Sequence, residues 1–127
     1  MADGMAERFI AALGQLEAEC DSDALVTLYA DDAVIGNVNT PEGFRGLDGA
    51  RKFWTEYRGT FGELKSAFRN RIDTGERIAL EWTTTGTSVD GEPIEYSGVS
   101  ILEVRDDKVA RFQAYFDPSA LGRQIAR

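Results

Sequence analysis

No histidine occurs among the 127 residues. Its absence removes the side chain best suited to proton transfer near neutral pH, and the commonest metal ligand with it. Acid–base chemistry in this chain must come from a carboxylate, a tyrosine or a lysine with a shifted pKa. Cysteine is scarce as well. Cys20 stands alone, which excludes an internal disulfide and makes a reducing cytoplasm the default compartment. No apolar run approaches the roughly 20 residues that span a bilayer. The opening MADGMAERF lacks a basic segment followed by an apolar one, so no signal peptide is expected. Basic residues are the minority, 14 Lys and Arg against 22 Asp and Glu, for a net charge of −8. Such a surface repels phosphate backbones and anionic lipid, so nucleic acid and membranes are poor partners. The chain reads as soluble and cytoplasmic.

The length suits one domain, residues 1–127, with a real core. Met5, Phe9, Leu13 and Leu16 recur at helical spacing and predict a first helix over 4–20. A second, short helix is expected in CDSDALVTLYADDAV, capped by Asp21 or Ser22 and ended by Asp31-Asp32. Residues 33–38 read as a strand and NTPEGFRG as a loop. Asp48 is then expected to cap a third helix with Ala50, Phe53, Trp54, Tyr57 and Phe61 on its inner side.

From Glu63 the apolar period changes from 3.6 to 2. Four strands follow, turning at Thr74-Gly75, Asp90-Gly91 and Asp106-Asp107. Their expected inner faces carry Leu64, Ser66, Phe68, Asn70 and Ile72; Ile78, Leu80, Trp82 and Thr84; Ile94, Tyr96, Gly98, Ser100 and Leu102; and Ala110, Phe112, Ala114 and Phe116. The order ααβαββββα with helices on one side of a meander is an α+β layout. The antiparallel sheet must curl over the helices, a cone with a pocket at its mouth, and Gly86 and Gly98 mark where it bends.

LVTLYADDAVIGN, GLDGARKFW, SGVSILEVRDDKVARFQAYFD and PSALGRQI occur in that order. The chain thereby resembles the SnoaL-like domains of the nuclear transport factor 2-like superfamily, over nearly its whole length. Relatives include ketosteroid isomerases, limonene epoxide hydrolases and polyketide cyclases, beside binding and dimerisation modules. The resemblance implies where each activity would place its ionisable groups. The isomerase's general-base Asp falls on Asn37, its oxyanion-hole Asp on Ser100 and its Tyr near Leu13. The hydrolase's Asp–Arg–Asp set falls on Trp82, Thr84 and Ala114, and the cyclase's Asp also on Ala114. Every one of these positions has lost its titratable group, so whether the chain is an enzyme stays open.

What remains to line the pocket is apolar, with a few polar tips. Phe53, Trp54, Phe68, Trp82, Phe112 and Phe116 are the expected walls, and Asn37, Tyr57, Thr84, Tyr96 and Ser100 the ligand-facing polar groups, with Asn70 beside them. Such a site suits a small, flat, largely apolar molecule. Candidates for a catalytic role are Asn37, Tyr57 and Asp117. Asp117 follows Phe116 and precedes Pro118, a pattern that favours the cap of a last helix. Asp31-Asp32 fall short of the roughly six oxygens a calcium ion takes, so no metal and no cofactor are expected.

Three readings follow: a binder of a small hydrophobic molecule, an enzyme of isomerase, cyclase or hydrolase type with non-standard polar residues, or a dimerisation scaffold whose pocket its own side chains fill. An open cavity would set aside the third, and a pocket carboxylate with a raised pKa would favour the second. A homodimer is expected through the outer face of the sheet, where Ala79, Val99, Ile101 and Tyr115 form an apolar patch edged by Arg69, Glu81 and Arg111.

Overall fold

The computed structural model of the chain describes the backbone of residues 4–125 and the side chains of residues 4–122. Its elements run α1 (Met5–Glu19), α2 (Asp23–Val26), β1 (Tyr29–Asn37), β2 (Phe44–Arg45), α3 (Gly46–Gly59), β3 (Phe61–Asp73), β4 (Arg77–Ser88), β5 (Pro93–Arg105), β6 (Lys108–Phe116) and α4 (Pro118–Ile125). The strands form one curved sheet in the order β2-β1-β6-β5-β4-β3. Every pairing is antiparallel except β1 with β6, which is parallel. This is the expected α+β cone with one strand more, the two-residue β2 inside the anticipated loop.

The inner face of the sheet meets α1 at β3, α3 at β1 and α4 at β5. Burial follows the alternation of β4 and β5: Ile78, Leu80, Trp82 and Thr84 are buried on one, Ile94, Tyr96, Ser100 and Leu102 on the other. Gly98 has a local reason. A Cβ built there would stand 2.7 Å from the Trp82 ring and run into the carbonyl of Tyr115, so only glycine lets the indole lie flat on the strand. The turn at Asp106-Asp107 places two aspartates at positive φ, 54° and 62°, a conformation that Asp tolerates better than most residues.

Several expectations are corrected. Asp31 and Asp32 lie within β1 rather than ending a helix; the β1–β6 register shifts between Tyr29 and Val34, and both carboxylates are exposed in succession. α2 is accordingly a single turn. Arg45, not Asp48, occupies the N-cap of α3, and Asp48 sits in its first turn, where its charge still suits the helix dipole.

A bulge between Phe68 and Asn70 reverses the parity of β3. Asn70 therefore bonds Glu81 on the outer face instead of facing the pocket, and Ile72 is 66% exposed. Arg71 turns inward instead and reaches Glu7 of α1 at 2.9 Å. A second shift, between Glu103 and Val104, puts Val109 rather than Ala110 in the core.

Candidate functional site

The interior divides into two apolar clusters. One joins α1, α3, β1 and β6 around Phe9, Trp54 and Phe112; the other joins β3, β4 and β5 around Phe61, Trp82 and Tyr96. Tyr57, Phe68 and Phe116 touch both. Between the clusters lies a cavity of about 380 Å³, within the range of small-molecule sites. Its side chains leave it open, so they do not fill the cone as a pure scaffold would require.

Each element supplies its expected part. α3 contributes Phe53, Trp54 and Tyr57, and the end of β1 contributes Asn37. β3 contributes Phe68, β4 Trp82 and Thr84, β5 Tyr96 and Ser100, and β6 Phe112 and Phe116. All the sequence-selected ligand-facing residues thus surround one space. Ala114 and Leu13 join them, so the six positions where the resemblance implies lost ionisable groups all face the cavity. Residues that the sequence did not assign to the pocket also line it, including Phe9 and Leu13 of α1, Phe44 of β2, Leu121 of α4, and Phe61, which was expected on the third helix and opens β3 instead. Phe9 and Leu13 were legible as the inner face of a helix, but spacing alone does not say which helix closes a cone.

The walls are rings held edge to face. Trp54 meets Phe53 at 4.9 Å, Phe112 at 5.2 Å and Tyr57 at 5.4 Å between centroids. Its indole N–H donates to the Tyr29 hydroxyl at 3.0 Å, which fixes the ring and meets a buried polar need. Across the cavity Trp82 meets Tyr96 at 5.2 Å, and Tyr96 meets Phe116 at 5.5 Å.

At two of the polar tips the accepting oxygen is already engaged. Ser100 Oγ accepts the Trp82 indole N–H at 2.9 Å, which leaves the serine proton to be offered. Asn37 Oδ1 accepts the backbone N–H groups of Asn39 and Thr40 at 2.9 and 3.1 Å, which leaves its amide N–H₂. Burial raises Tyr57 well above the ordinary tyrosine value, with the neighbouring Tyr96 hydroxyl adding to it. Burial likewise pushes Tyr96 up to about 12. Both phenols therefore keep their protons at any physiological pH. Ser66 and Thr84 share a hydroxyl hydrogen bond of 2.6 Å on the same wall.

Asp117 is exposed and is not among the cavity residues. Its Oδ1 accepts the N–H groups of Ser119 at 2.9 Å and Ala120 at 3.3 Å, the geometry of a helix N-cap. Glu56 lies at the rim and is exposed. A carboxylate that the sequence did not point to, Glu17 of α1, is buried just behind Ser66 and bonds its backbone N–H. Among the described residues no three acidic or cysteine side chains are grouped to hold a metal ion.

A family of known sequences covers this architecture: the SnoaL-like domain matches residues 6–112. The chain belongs to the SnoaL-like domain family. No curated protein sequence matches it. Solved structures match this SnoaL-like chain closely in shape and weakly in sequence. TerC co-crystallised with polyporic acid superposes at TM-score 0.81 with 20% identity, over 96% of this chain and 98% of that one. An NTF2-like protein of unknown function from Burkholderia pseudomallei reaches 0.83 with 19% identity, over 96% and 95%. A protein of ketosteroid isomerase-like fold from Catenulispora acidiphila, in complex with trimethylamine, reaches 0.79 with 16% identity, over 93% and 92%. At these identities the likeness is one of fold, and the activity of a SnoaL-like protein has to be argued from its site. Among the described residues no helix is long and apolar enough to cross a membrane.

Proposed function

We propose that this SnoaL-like protein binds a small, flat, largely apolar molecule that carries hydrogen-bond-accepting oxygens. The observation that carries the reading is the 380 Å³ cavity with aromatic walls, into which Ser100 and Asn37 present groups whose oxygens already accept. The Ser100 hydroxyl and the Asn37 amide have protons to offer, so a ligand oxygen meets donors there. Rings on facing walls favour a planar body, which they cover on both sides. TerC, of the same fold, has been co-crystallised with polyporic acid; that supports a small organic ligand here by analogy of fold alone.

An enzymatic reading is favoured by one observation, the buried Glu17 carboxyl beside the donor wall. The positions at which relatives place their acid–base groups do not supply it, because Asn37, Trp82, Thr84, Ser100 and Ala114 cannot titrate usefully.

Binding is tested by screening planar oxygenated aromatics for quenching of tryptophan fluorescence, then repeating the hits with Trp82→Ala. Truncating a buried aromatic anchor typically costs about 2 kcal/mol or more, about a 30-fold loss of affinity. Unchanged affinity in a folded variant removes Trp82 from the site.

A further inference from the structure

Among the described residues Glu17 is the only acidic side chain buried from solvent, at 8% exposure. Its two oxygens differ. Oε1 accepts the backbone N–H of Ser66 at 3.2 Å, on the strand at the free edge of the sheet. Oε2 is buried without a partner. The groups around the carboxyl come from three elements: Tyr57 and Arg58 of α3, Lys65 and Ser66 of β3, and Tyr96 of β5. Arg58 does not pair with it. The guanidinium donates to the carbonyls of Leu16, Glu17, Phe61 and Gly62 at 3.0–3.2 Å.

A carboxylate oxygen buried without a protein partner favours the protonated acid. Burial accordingly raises Glu17 above its usual 4.5, against weaker opposing effects of Ser66, Arg58 and Lys65. An edge-strand amide needs an acceptor, and a glutamine would serve it as well. What only a glutamate brings is a proton that comes and goes, and it stands behind a wall of hydroxyls that line the cavity: Ser66, Thr84, Tyr57 and Tyr96.

We propose that Glu17 is the proton-exchanging group of this cavity, taking the proton of an acidic hydroxyl, an enol or a phenol, on the bound molecule and returning it. The idea rests on the binding reading above. In the forward step the ligand O–H bond breaks and its electron pair stays on oxygen as an enolate or phenolate. The Ser66 hydroxyl, which lines the cavity and hydrogen-bonds the Glu17 carboxyl, accepts that proton while passing its own to the carboxylate. Nothing is oxidised or reduced, and net charge is conserved. Negative charge leaves an oxygen that lacks a partner for one that faces the protons of Ser100 and Asn37, so the environment favours the transfer.

The experiment uses 4-nitrophenol, whose absorbance reports its own ionisation, and calorimetry in two buffers to count protons exchanged on binding. Below the pKa of the free probe, wild-type protein is expected to bind it as the phenolate with no net proton given to the buffer. Glu17→Gln, which keeps the acceptor for Ser66, should bind it as the phenol, or as a phenolate that sheds its proton to the buffer. Should that variant not fold, Ser66→Ala cuts the route instead and should leave the bound probe as the phenol. A phenol spectrum with wild-type protein overturns the proposal. So does a proton released to the buffer equally by wild type and Glu17→Gln. A probe that binds neither protein removes the binding reading, and ligand-free NMR then decides the role of Glu17. Tyr57 and Tyr96 ring signals that titrate above the ordinary carboxylate range in wild type and not in Glu17→Gln uphold it, and identical curves overturn it.

Discussion

Glu17 makes a prediction about stability that needs no ligand. Its folded pKa lies above its unfolded one because burial disfavours the charged form. Folding therefore binds the proton more tightly than the unfolded chain does. The contribution is fully present below the ordinary carboxylate value and is lost as pH rises through the raised one. Melting temperature should fall across that window more steeply in wild type than in Glu17→Gln. Parallel curves would mean that the carboxyl titrates normally. Sequence alone did not lead to this residue. Glu17 follows Leu16 on a helix whose inner stripe was read as Met5, Phe9, Leu13 and Leu16, and a glutamate next to that stripe looks like an ordinary solvated one. Its burial depends on where β3 and Arg58 arrive, from 41 to 49 residues further along.

The last helix shows what a single side chain does for its element. Asp117 holds two first-turn amides, so Asp117→Asn should be nearly neutral, losing only the charge–dipole share of about 0.3–1 kcal/mol. Asp117→Ala should cost more, about 1 kcal/mol, by leaving those amides to water. Thermal melts of the two variants measure the difference; equal losses would contradict the cap. Aspartate followed by Pro118 is a local signal, complete within a few residues, which is why it was legible in the sequence. The alternation of β4 and β5 was legible for the same reason, and with it most of the pocket wall. β3 was readable only as far as Phe68, because the bulge that follows depends on how the strand pairs with β4. Asn70 left the expected pocket by that one extra residue. The aspartates of β1 misled in the other direction, since a bulged strand that exposes two carboxylates in succession reads as a turn.

The same bulge changes the outer surface of the whole molecule. It places Ile72 beside Ala79, which pairs with Ile101 on the next strand. Val99 pairs with Tyr115 in the adjoining row, and Ile72 and Tyr115 are 66% and 44% exposed. Arg69–Glu81 and Arg111–Glu103 ion pairs, at 3.4 and 3.6 Å, edge this patch. An apolar face rimmed by charge is expected to pair with a second copy. Light scattering should give a dimer at about tens of micromolar, and Ile101→Glu should give a monomer. A wild-type monomer under those conditions would contradict the pairing.

The cone, its open cavity and its donor tips together make one testable statement about the molecule: small planar oxygenated compounds enter between Trp54 and Trp82. The measurement is an NMR screen of such compounds against the folded protein, reading the indole N–H of Trp82 and the side-chain amide of Asn37. Binders are expected to shift both signals, which lie on the same cavity, and to lose their effect on Asn37 when Trp82→Ala is used. A screen in which binders move neither signal, or move only residues of the outer sheet face, would contradict the account.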